Sequence, residues 1–258
     1  MVDIQNRGVP ATDMVMHAPA NPAQVFCTIG NYRDQILEAA RDAEDGPGGP
    51  GAPRRVAEAT AMIERRVLEG RPYVCSKGHQ CVASSGGALE VPGEMRTLDW
   101  EVELGVIIGR TAWQIDVGEA LDYVAGYCVV NDITLRERIF RNDPKVMGTD
   151  WIESKARPGW LPVGPWLVPS WDVHDPQDLR LSLRLNGEVM QNGWTGDMLF
   201  GVAEQIAYLA QHTRLEPGDL ICTGSPSGFG SHHQRFLQSG DLIEATVEGL
   251  GVQRVRCI

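Results

Sequence analysis

Short apolar runs separated by turn residues fill most of the sequence after Gly70, and few folds accommodate such a pattern. Runs of this length, bounded by Gly, Pro, Asn and Asp, are typical of β-strands. They include EVELGVIIG, YVAGYCVVND, LRLSLRLNGEV and DLIEATVEGLG. The third run alternates apolar and polar residues and then reaches Asn186-Gly187, a pair that favours a tight hairpin turn. We therefore expect a mainly β, mixed α/β architecture.

Helical periodicity is confined to a few segments. NYRDQILEAARDAE, which begins at Asn31, and RRVAEATAMIERRVLEG, which ends at Gly70, carry apolar residues at helical spacing. Between them lies GPGGPGAP (46–53), which cannot continue a helix and predicts a flexible hinge. A third helix is expected between Met198 and Thr213. The absence of regular β-α-β alternation and of a Gly-x-Gly-x-x-Gly or Walker loop argues against a doubly wound nucleotide-binding domain.

The charge of the chain disfavours several kinds of partner. The 258 residues include 23 basic and 34 acidic side chains, a net charge of −11, and no cluster of Lys or Arg offsets this excess. Nucleic acid and anionic membrane surfaces are therefore poor partners. No apolar stretch approaches the roughly 20 residues that span a bilayer, and the first residues do not resemble a signal peptide, so we expect a cytoplasmic protein. Six scattered cysteines suit buried thiols better than a zinc or redox motif.

Three acidic residues stand where predicted strands meet the core. Glu101 and Glu103 are two apart in DWEVELGVIIG, so both project from one face of a strand, roughly 6 to 7 Å apart. An isolated Glu-x-Glu can be a solvated strand face, but this strand continues into the apolar VIIG. Carboxylates beside an apolar interior must be protonated, paired with cations or bound to a metal. Asp132 ends the apolar run YVAGYCVVND, and three such acids suit Mg²⁺ or Mn²⁺ better than zinc.

Other polar residues are candidates for substrate contact. Lys155, in a Gly/Pro-rich loop of WIESKARPGW, can neutralise an anionic substrate or can be a surface lysine. The turn Thr223-Gly224-Ser225, after the run DLIC, can aim backbone N–H groups and a hydroxyl at a carboxylate. Arg136 is expected to pair with a structural acid.

These motifs, in this order, resemble the fumarylacetoacetate hydrolase family over about residues 26 to 250. The resemblance implies a β-sandwich roll with a few peripheral helices and a mobile lid, usually assembled as a homodimer. It divides the chain into an N-terminal arm (1–25) and a catalytic domain (26–258), with the lid and hinge at about 31–70. It implies Mg²⁺, Mn²⁺ or Ca²⁺ as cofactor. The residues that it assigns are the metal ligands Glu101, Glu103 and Asp132, the active-site Lys155, and substrate contacts from Thr223, Gly224 and Ser225, with His233 nearby.

The sequence departs from the family pattern on the substrate side. Small hydrolases of the family carry a His and a Glu three apart on the lid helix, and those positions here are Gln35 and Glu38. Gln35 cannot take a proton, whereas a partly desolvated Glu38 can be the only base. Residues 156–160 replace an Asp-Thr-Phe-like stretch, and residues 142–147 form a longer segment than in compact members. His232 or His233 can replace the missing lid histidine or can be solvated.

The resemblance implies a substrate that is a 2-oxo acid with a second carbonyl or enol nearby. The expected activity is metal-dependent hydrolysis of a C–C bond in an acylpyruvate-like or fumarylacetoacetate-like acid, of the kind met in aromatic catabolism. The alternatives are a decarboxylase, isomerase or hydratase of a 2-oxo acid, or a catalytically impaired homologue that binds metal. The presence of Glu38 and of all three acidic ligands favours an active enzyme.

Overall fold

A computed structural model describes residues 17–43, 49–141 and 148–258. Most of the expected N-terminal arm, part of the Gly/Pro hinge and the longer segment at 142–147 therefore lie outside the described residues. The described end of the arm leads directly into the first strand. Ala18 and Ala20 there pack against buried residues of the large sheet.

One large sheet carries the predicted acidic residues. Its strands follow the order β2 (Val74–Lys77), β1 (Val25–Thr28), β13 (Leu220–Cys222), β6 (Val102–Ile108), β7 (Val124–Asn131), β9 (Leu161–Val163) and β3 (Val82–Ser84), and β10 (Val168–Pro169) also pairs with β7. β6 is buried at every position, including Glu103, which interrupts its otherwise apolar sequence. β1 lies parallel to β13, with Val25 opposite Leu220. Two segments that are far apart in the sequence thus pair within this sheet.

A second sheet packs against the first. Its strand order is β12 (Glu188–Trp194), β11 (Arg180–Leu185), β14 (Leu242–Val247), β15 (Val252–Cys257) and β4 (Ala88–Leu89). The predicted hairpin joins β11 to β12, and Asn186 and Gly187 at its turn have φ of 53° and 88°. Alternate leucines of β11 belong to the same core as alternate residues of β6. A short ribbon of β5 (Leu98–Asp99) and β8 (Thr134–Leu135) completes the strands of the described residues.

Helices lie at the periphery of the two sheets, as expected for the mixed α/β class. They are α1 (Arg33–Asp42), α2 (Ala52–Glu69), α3 (Trp151–Lys155), α4 (Val202–His212) and α5 (Gly230–His233). The three predicted helices are confirmed, and Gly70 is the C-cap residue of α2. The prediction that Lys155 lies in a loop is wrong, because it is the last residue of α3. Asp150 starts that helix by accepting a hydrogen bond of 2.9 Å from the Glu153 N–H.

The pair α1 and α2 is attached to the body by an apolar cluster. Ile63 of α2 is fully buried beside Leu199 and Phe200, which precede α4, and Ile36 and Leu37 of α1 pack against the same group. This contact fixes the face of α1 that is turned toward the large sheet. None of the helices in the described ranges is long and apolar enough to cross a membrane.

Candidate active site

The three predicted acidic residues converge where β6 begins and β7 ends. Glu101 directly precedes β6, Glu103 lies within it, and Asp132 directly follows β7. The antiparallel pairing places Val102 opposite Asn131, so the carboxylates meet across the two strands. One oxygen of each lies within 4.8 Å of the others, and all three residues are buried. The strand alternation that the sequence predicts is what turns both glutamates to this side.

Three cations surround this carboxylate triad. The ammonium of Lys155 lies 2.6 Å from Asp132 Oδ2 and 3.2 Å from Glu101 Oε2. Lys77 contacts the other oxygen of Asp132 at 2.5 Å, and Arg136 Nη1 contacts Glu101 Oε1 at 2.7 Å. The hydroxyl of Thr134 accepts a hydrogen bond of 2.6 Å from Lys155. The charges of Glu101 and Asp132 are therefore partly neutralised. Glu103, in contrast, has no cation in hydrogen-bond contact among the described residues.

The protonation states follow from these contacts. Burial raises the pKa of Glu103 well above its ordinary value, and the charges of Asp132 and Glu101 raise it further. Burial acts in the same direction on Asp132, but Lys155 and Lys77 overcome it and lower its pKa to about 2. Burial opposes the charged form of Lys155, yet Asp132 and Glu101 raise the pKa of its ammonium. Lys155 is thus a fixed positive charge and Asp132 a fixed negative one at neutral pH.

The turn after β13 closes one side of the triad. The Gly224 N–H donates 2.8 Å to Glu103 Oε2, and Gly224 has a φ of +96°, which favours glycine. The Thr223 hydroxyl donates to the Leu104 carbonyl at 2.9 Å, so this side chain braces the turn against β6. Ser225 lies at the cavity described below, and its hydroxyl donates to the Val102 carbonyl at 2.9 Å.

A cavity of about 310 Å³ opens beside the triad. Its polar end is formed by Glu101, Arg136, Lys155 and Ser225. Its other walls are largely apolar and include Ile29, Ala39, Ile139, Phe140, Trp151 and Phe229. Arg136 stacks 4.1 Å from the ring centre of Phe229, and its Nη2 is buried without a hydrogen-bond partner among the described residues. A carboxylate oxygen in the cavity is the kind of group that would satisfy this nitrogen.

The two lid residues occupy different places. Gln35 of α1 lines both the cavity and a neighbouring pocket, whereas Glu38 lines only the neighbouring pocket. Glu38 Oε1 accepts a hydrogen bond of 2.8 Å from the Gly228 N–H. Burial raises the pKa of Glu38, although this hydrogen bond and the charge of His232 oppose the shift. Gln35, and not Glu38, is therefore among the residues that line the cavity beside the triad.

His233 lies apart from the triad. It is exposed, its Nε2 lies 2.9 Å from the Met190 carbonyl oxygen, and it is not among the residues that line the cavity.

Sequence reasoning missed two cations and one hydroxyl of the site. Lys77 is the last residue of the run RPYVCSK and is buried at the end of β2. A lysine at the end of an apolar strand is the sequence feature that could have indicated it. Arg136 was expected to pair with an acid, as it does with Asp99 at 2.7 Å, but its position at the cavity was not foreseen. Thr134, two residues beyond Asp132, gave no signal, since its role depends on the approach of Lys155.

The residues present fit a hard divalent cation. Mg²⁺, Mn²⁺ and Ca²⁺ prefer oxygen ligands, and the triad offers three buried carboxylates on one side of a cavity. The raised pKa of Glu103 marks a carboxylate whose negative charge lacks a compensating partner, and a bound cation would supply one. Glu101, Glu103 and Asp132 are the residues that would hold it.

Two packed, curled sheets with a buried acidic triad at the edge of a cavity define the class of fumarylacetoacetate hydrolase folds. Residues 24–257 match the family model described as fumarylacetoacetate (FAA) hydrolase C-terminal. The chain belongs to the fumarylacetoacetate hydrolase family, whose members are enzymes.

Relatives and solved structures agree with this assignment. A protein of Burkholderia lata, provisionally named a hydrolase, is 44% identical over 186 residues, which are 70% of this chain and 64% of the relative's length. A 2-hydroxyhepta-2,4-diene-1,7-dioate isomerase from Mycobacterium marinum is 26% identical, with a TM-score of 0.75 over 98% of this chain and 81% of its own. A fumarylacetoacetate hydrolase from Exiguobacterium antarcticum is 29% identical, with a TM-score of 0.72 over 93% of this chain and 77% of its own. The named activities of these structures differ, so the shared fold leaves the reaction open.

Proposed function

We propose that this protein is a divalent-metal-dependent enzyme that cleaves a C–C bond in a 2-oxo acid with a second carbonyl nearby. The observation that carries the proposal is the buried triad of Glu101, Glu103 and Asp132 beside a cavity that also presents Lys155 and Arg136. A cation on the triad would bind the oxygens of the 2-oxo acid and stabilise the enolate charge that C–C cleavage leaves.

The side chains around the triad have separate roles in this proposal. Lys155 keeps its proton and faces developing negative charge at the polar end of the cavity. Arg136 offers the unpartnered Nη2 to a substrate carboxylate, while its other nitrogens stay on Asp99 and Glu101. Ser225 contributes a hydroxyl oxygen at the same end.

The apolar walls favour a substrate with an apolar tail. Ile139, Phe140 and Trp151 lie along the cavity, and the cations among its described lining residues are Lys155 and Arg136. Both cations contact carboxylates of the protein at the polar end. We therefore propose an acylpyruvate-like acid whose acyl group is apolar and lies along these walls.

Hydrolysis also requires a base that activates water. We propose Glu38, whose pKa is raised by burial and whose neighbour Gln35 can orient a water molecule in the cavity. Glu38 contacts Gly228 in this structure, so this role requires its carboxylate to leave that hydrogen bond and turn toward the cavity.

Decarboxylation or isomerisation is the second candidate. Gln35 lines the cavity where a base would be required, and Gln35 cannot accept a proton. Decarboxylation needs mainly an electrophile at the 2-oxo group and therefore no movement of Glu38. Isomerisation also needs a group that moves a proton between two carbons, and the Mycobacterium marinum structure is named an isomerase.

Assays of Glu38→Gln with Mg²⁺, on acylpyruvates and on a 2-oxo acid that can only lose CO₂, test the two candidates. Hydrolysis by the proposed mechanism predicts that Glu38→Gln cripples acylpyruvate cleavage and spares metal binding, with a milder loss in Gln35→Ala. Unchanged turnover of every accepted substrate by Glu38→Gln would eliminate Glu38 as the base and leave the second candidate. Absence of turnover by the wild-type protein with Mg²⁺, Mn²⁺ or Ca²⁺ across the panel would contradict both.

A further inference from the structure

A second group of metal-ligating side chains lies outside the carboxylate triad. Glu38 and Asp42 are one turn apart on α1, and His232 of α5 faces them. One ligand atom of each lies within 4.8 Å of the other two. His232 Nδ1 is 2.7 Å from Asp42 Oδ2 and 3.7 Å from Glu38 Oε2. Ligands of a tetrahedral zinc ion are roughly 3.3 Å apart, since each lies about 2.0 to 2.1 Å from the metal, and these two distances bracket that value.

The three side chains are partly preorganised. The Gly228 N–H holds Glu38 Oε1 at 2.8 Å, which leaves Oε2 directed at His232. An N–H donor on the non-coordinating oxygen is the outer contact that orients carboxylate ligands in metal sites. The side chains of Glu38 and Asp42 are 14% and 16% exposed, whereas that of His232 is 39% exposed. A cation can therefore enter from the histidine side and meet two largely buried carboxylates.

The surroundings leave room for further ligands. A pocket of about 280 Å³ adjoins the group and is lined by Glu38 and Asp42 themselves, together with Gln35, Phe229 and Ser231. One imidazole and two carboxylates are ligand types that zinc accepts, and the open side leaves a position for water, as in three-ligand zinc sites. This set differs from the carboxylate triad, which offers oxygen alone and therefore suits harder cations.

We propose that Glu38, Asp42 and His232 form a second metal site for Zn²⁺ or a similar transition-metal ion. The ligand atoms are Glu38 Oε2, Asp42 Oδ2 and neutral His232 Nδ1, so binding replaces the present contact between His232 and Asp42. The ion joins α1 to α5. It also holds the Glu38 carboxylate away from the cavity, so zinc occupancy and the proposed base role of Glu38 exclude each other.

Zinc binding and X-ray absorption on the whole, untagged chain test this site without reference to activity. The triad contains no histidine, so imidazole scattering around bound zinc identifies the second site. We expect the wild-type protein to bind one more equivalent of Zn²⁺ than His232→Ala and than Asp42→Ala. We also expect the imidazole signal to disappear in His232→Ala. The matched control is His233→Ala, which removes the adjacent exposed histidine. This variant should retain both the additional equivalent of Zn²⁺ and the imidazole signal.

Conservative variants separate ligand loss from a folding defect. His232→Gln and Asp42→Asn should melt like the wild type without zinc and should lose the zinc-dependent rise in melting temperature that the second site contributes. Equal zinc stoichiometry and equal imidazole signal in wild type and in both histidine variants at position 232 would overturn the proposal. Loss of the signal only in His233→Ala would overturn it as well. Neither result depends on whether the enzyme cleaves a 2-oxo acid.

Discussion

Two lysines share one carboxylate at the centre of the site, and they are not equivalent. Lys77 contacts Asp132 Oδ1 and donates 2.7 Å to the Trp160 carbonyl, so its ammonium is enclosed by protein. Lys155 contacts Asp132 Oδ2 and also lines the cavity. Lys77 is therefore a second positive charge that stays on Asp132 when Lys155 is replaced, and Lys155 is the lysine that lines the cavity.

Lys155→Met tests this division. We expect kcat/KM on the true substrate to fall, and the fall should correspond to a loss of about 2 to 4 kcal/mol of transition-state binding. This is the scale of a lost contact with a desolvated charge. Metal affinity should stay roughly intact. The exposed Arg157, converted to Met, is the control for loss of one positive charge nearby. Near-normal kinetics of Lys155→Met would remove this lysine from the substrate site.

A pH-dependent contribution to stability is expected from Asp197. Burial and the nearby charge of Asp34 raise its pKa to about 6, although the Asp34 N–H donates 2.8 Å to its Oδ2. The folded protein thus holds a proton that the unfolded chain releases near pH 4, so stability falls as the pH rises from about 4 through 6. After allowance for solvent screening, Asp197→Asn should be more stable than wild type by about 1 to 2 kcal/mol at pH 7 and equal to it below pH 4.

Urea unfolding across this pH range measures the effect, with exposed Asp122→Asn as the control. A constant difference between Asp197→Asn and wild type from pH 4 to 7 would show that Asp197 does not titrate in this window.

At the level of single residues, the sequence predicted the acidic residues of the site better than the groups that contact them. Glu101, Glu103 and Asp132 were found from strand alternation and from their position at the ends of apolar runs. Lys77 was missed because its contact with Asp132 joins strands that are not adjacent in the sheet. The orientation of the Glu38 side chain could not be predicted, because it depends on a hydrogen bond from the Gly228 N–H that no sequence pattern indicates.

Helix α1 is attached through two unlike faces. One face packs Ile36 and Leu37 into the apolar cluster around Ile63. The other meets the segment after β13 through Asp34, whose Oδ2 accepts 2.7 Å from the Ser227 hydroxyl, and through Glu38 and Asp42. The apolar contact therefore provides most of the stabilisation of α1 and α2, while the polar face sets which residues of α1 border the cavity.

Ile63→Ala should destabilise the protein by about 2 to 5 kcal/mol, because it removes buried methylene groups and leaves a void between α2 and Phe200. Val67→Ala, on the same helix but 46% exposed, should change stability by less than about 0.5 kcal/mol. Chemical denaturation of both variants measures the difference. Similar losses in the two would mean that the cluster does not anchor α2.

Most elements could be predicted from the sequence because their signals are local. The hairpin at Asn186-Gly187, the buried β6 and the three long helices follow from periodicity and turn residues. The short helix α3 was predicted as a loop because its five residues are too few to show a period. It begins at the Asp150 cap and ends at Lys155, whose ion pairs connect it to the triad.

The whole molecule should respond to metal, because a ligand that binds only the folded state raises the melting temperature. We expect Mg²⁺ or Mn²⁺ to stabilise the wild type in a concentration-dependent way, and Glu101→Ala or Asp132→Ala to abolish the response without unfolding the chain. Thermal shift at several metal concentrations measures this. A wild type without any metal-dependent rise, or variants that keep the full rise, would refute the triad as the metal site.

The resemblance to the family predicts a homodimer. Sedimentation equilibrium should give about twice the chain mass of 28.3 kDa. A concentration-independent mass of one chain would contradict this expectation.

The parallel contact of β1 with β13 has a consequence for biosynthesis. Val25 pairs with Leu220, and β13 separates β1 and β2 from β6, so the early strands β1 and β2 join the rest of the large sheet only after residues up to 222 have left the ribosome. Until then the early strands lack their neighbour, and the Gly224 N–H that holds Glu103 has not been made. Such distant pairings slow folding, so the proposed metal site should form only after residues up to 224 have been synthesised, and the nascent chain should depend on chaperones more than a protein built from local contacts.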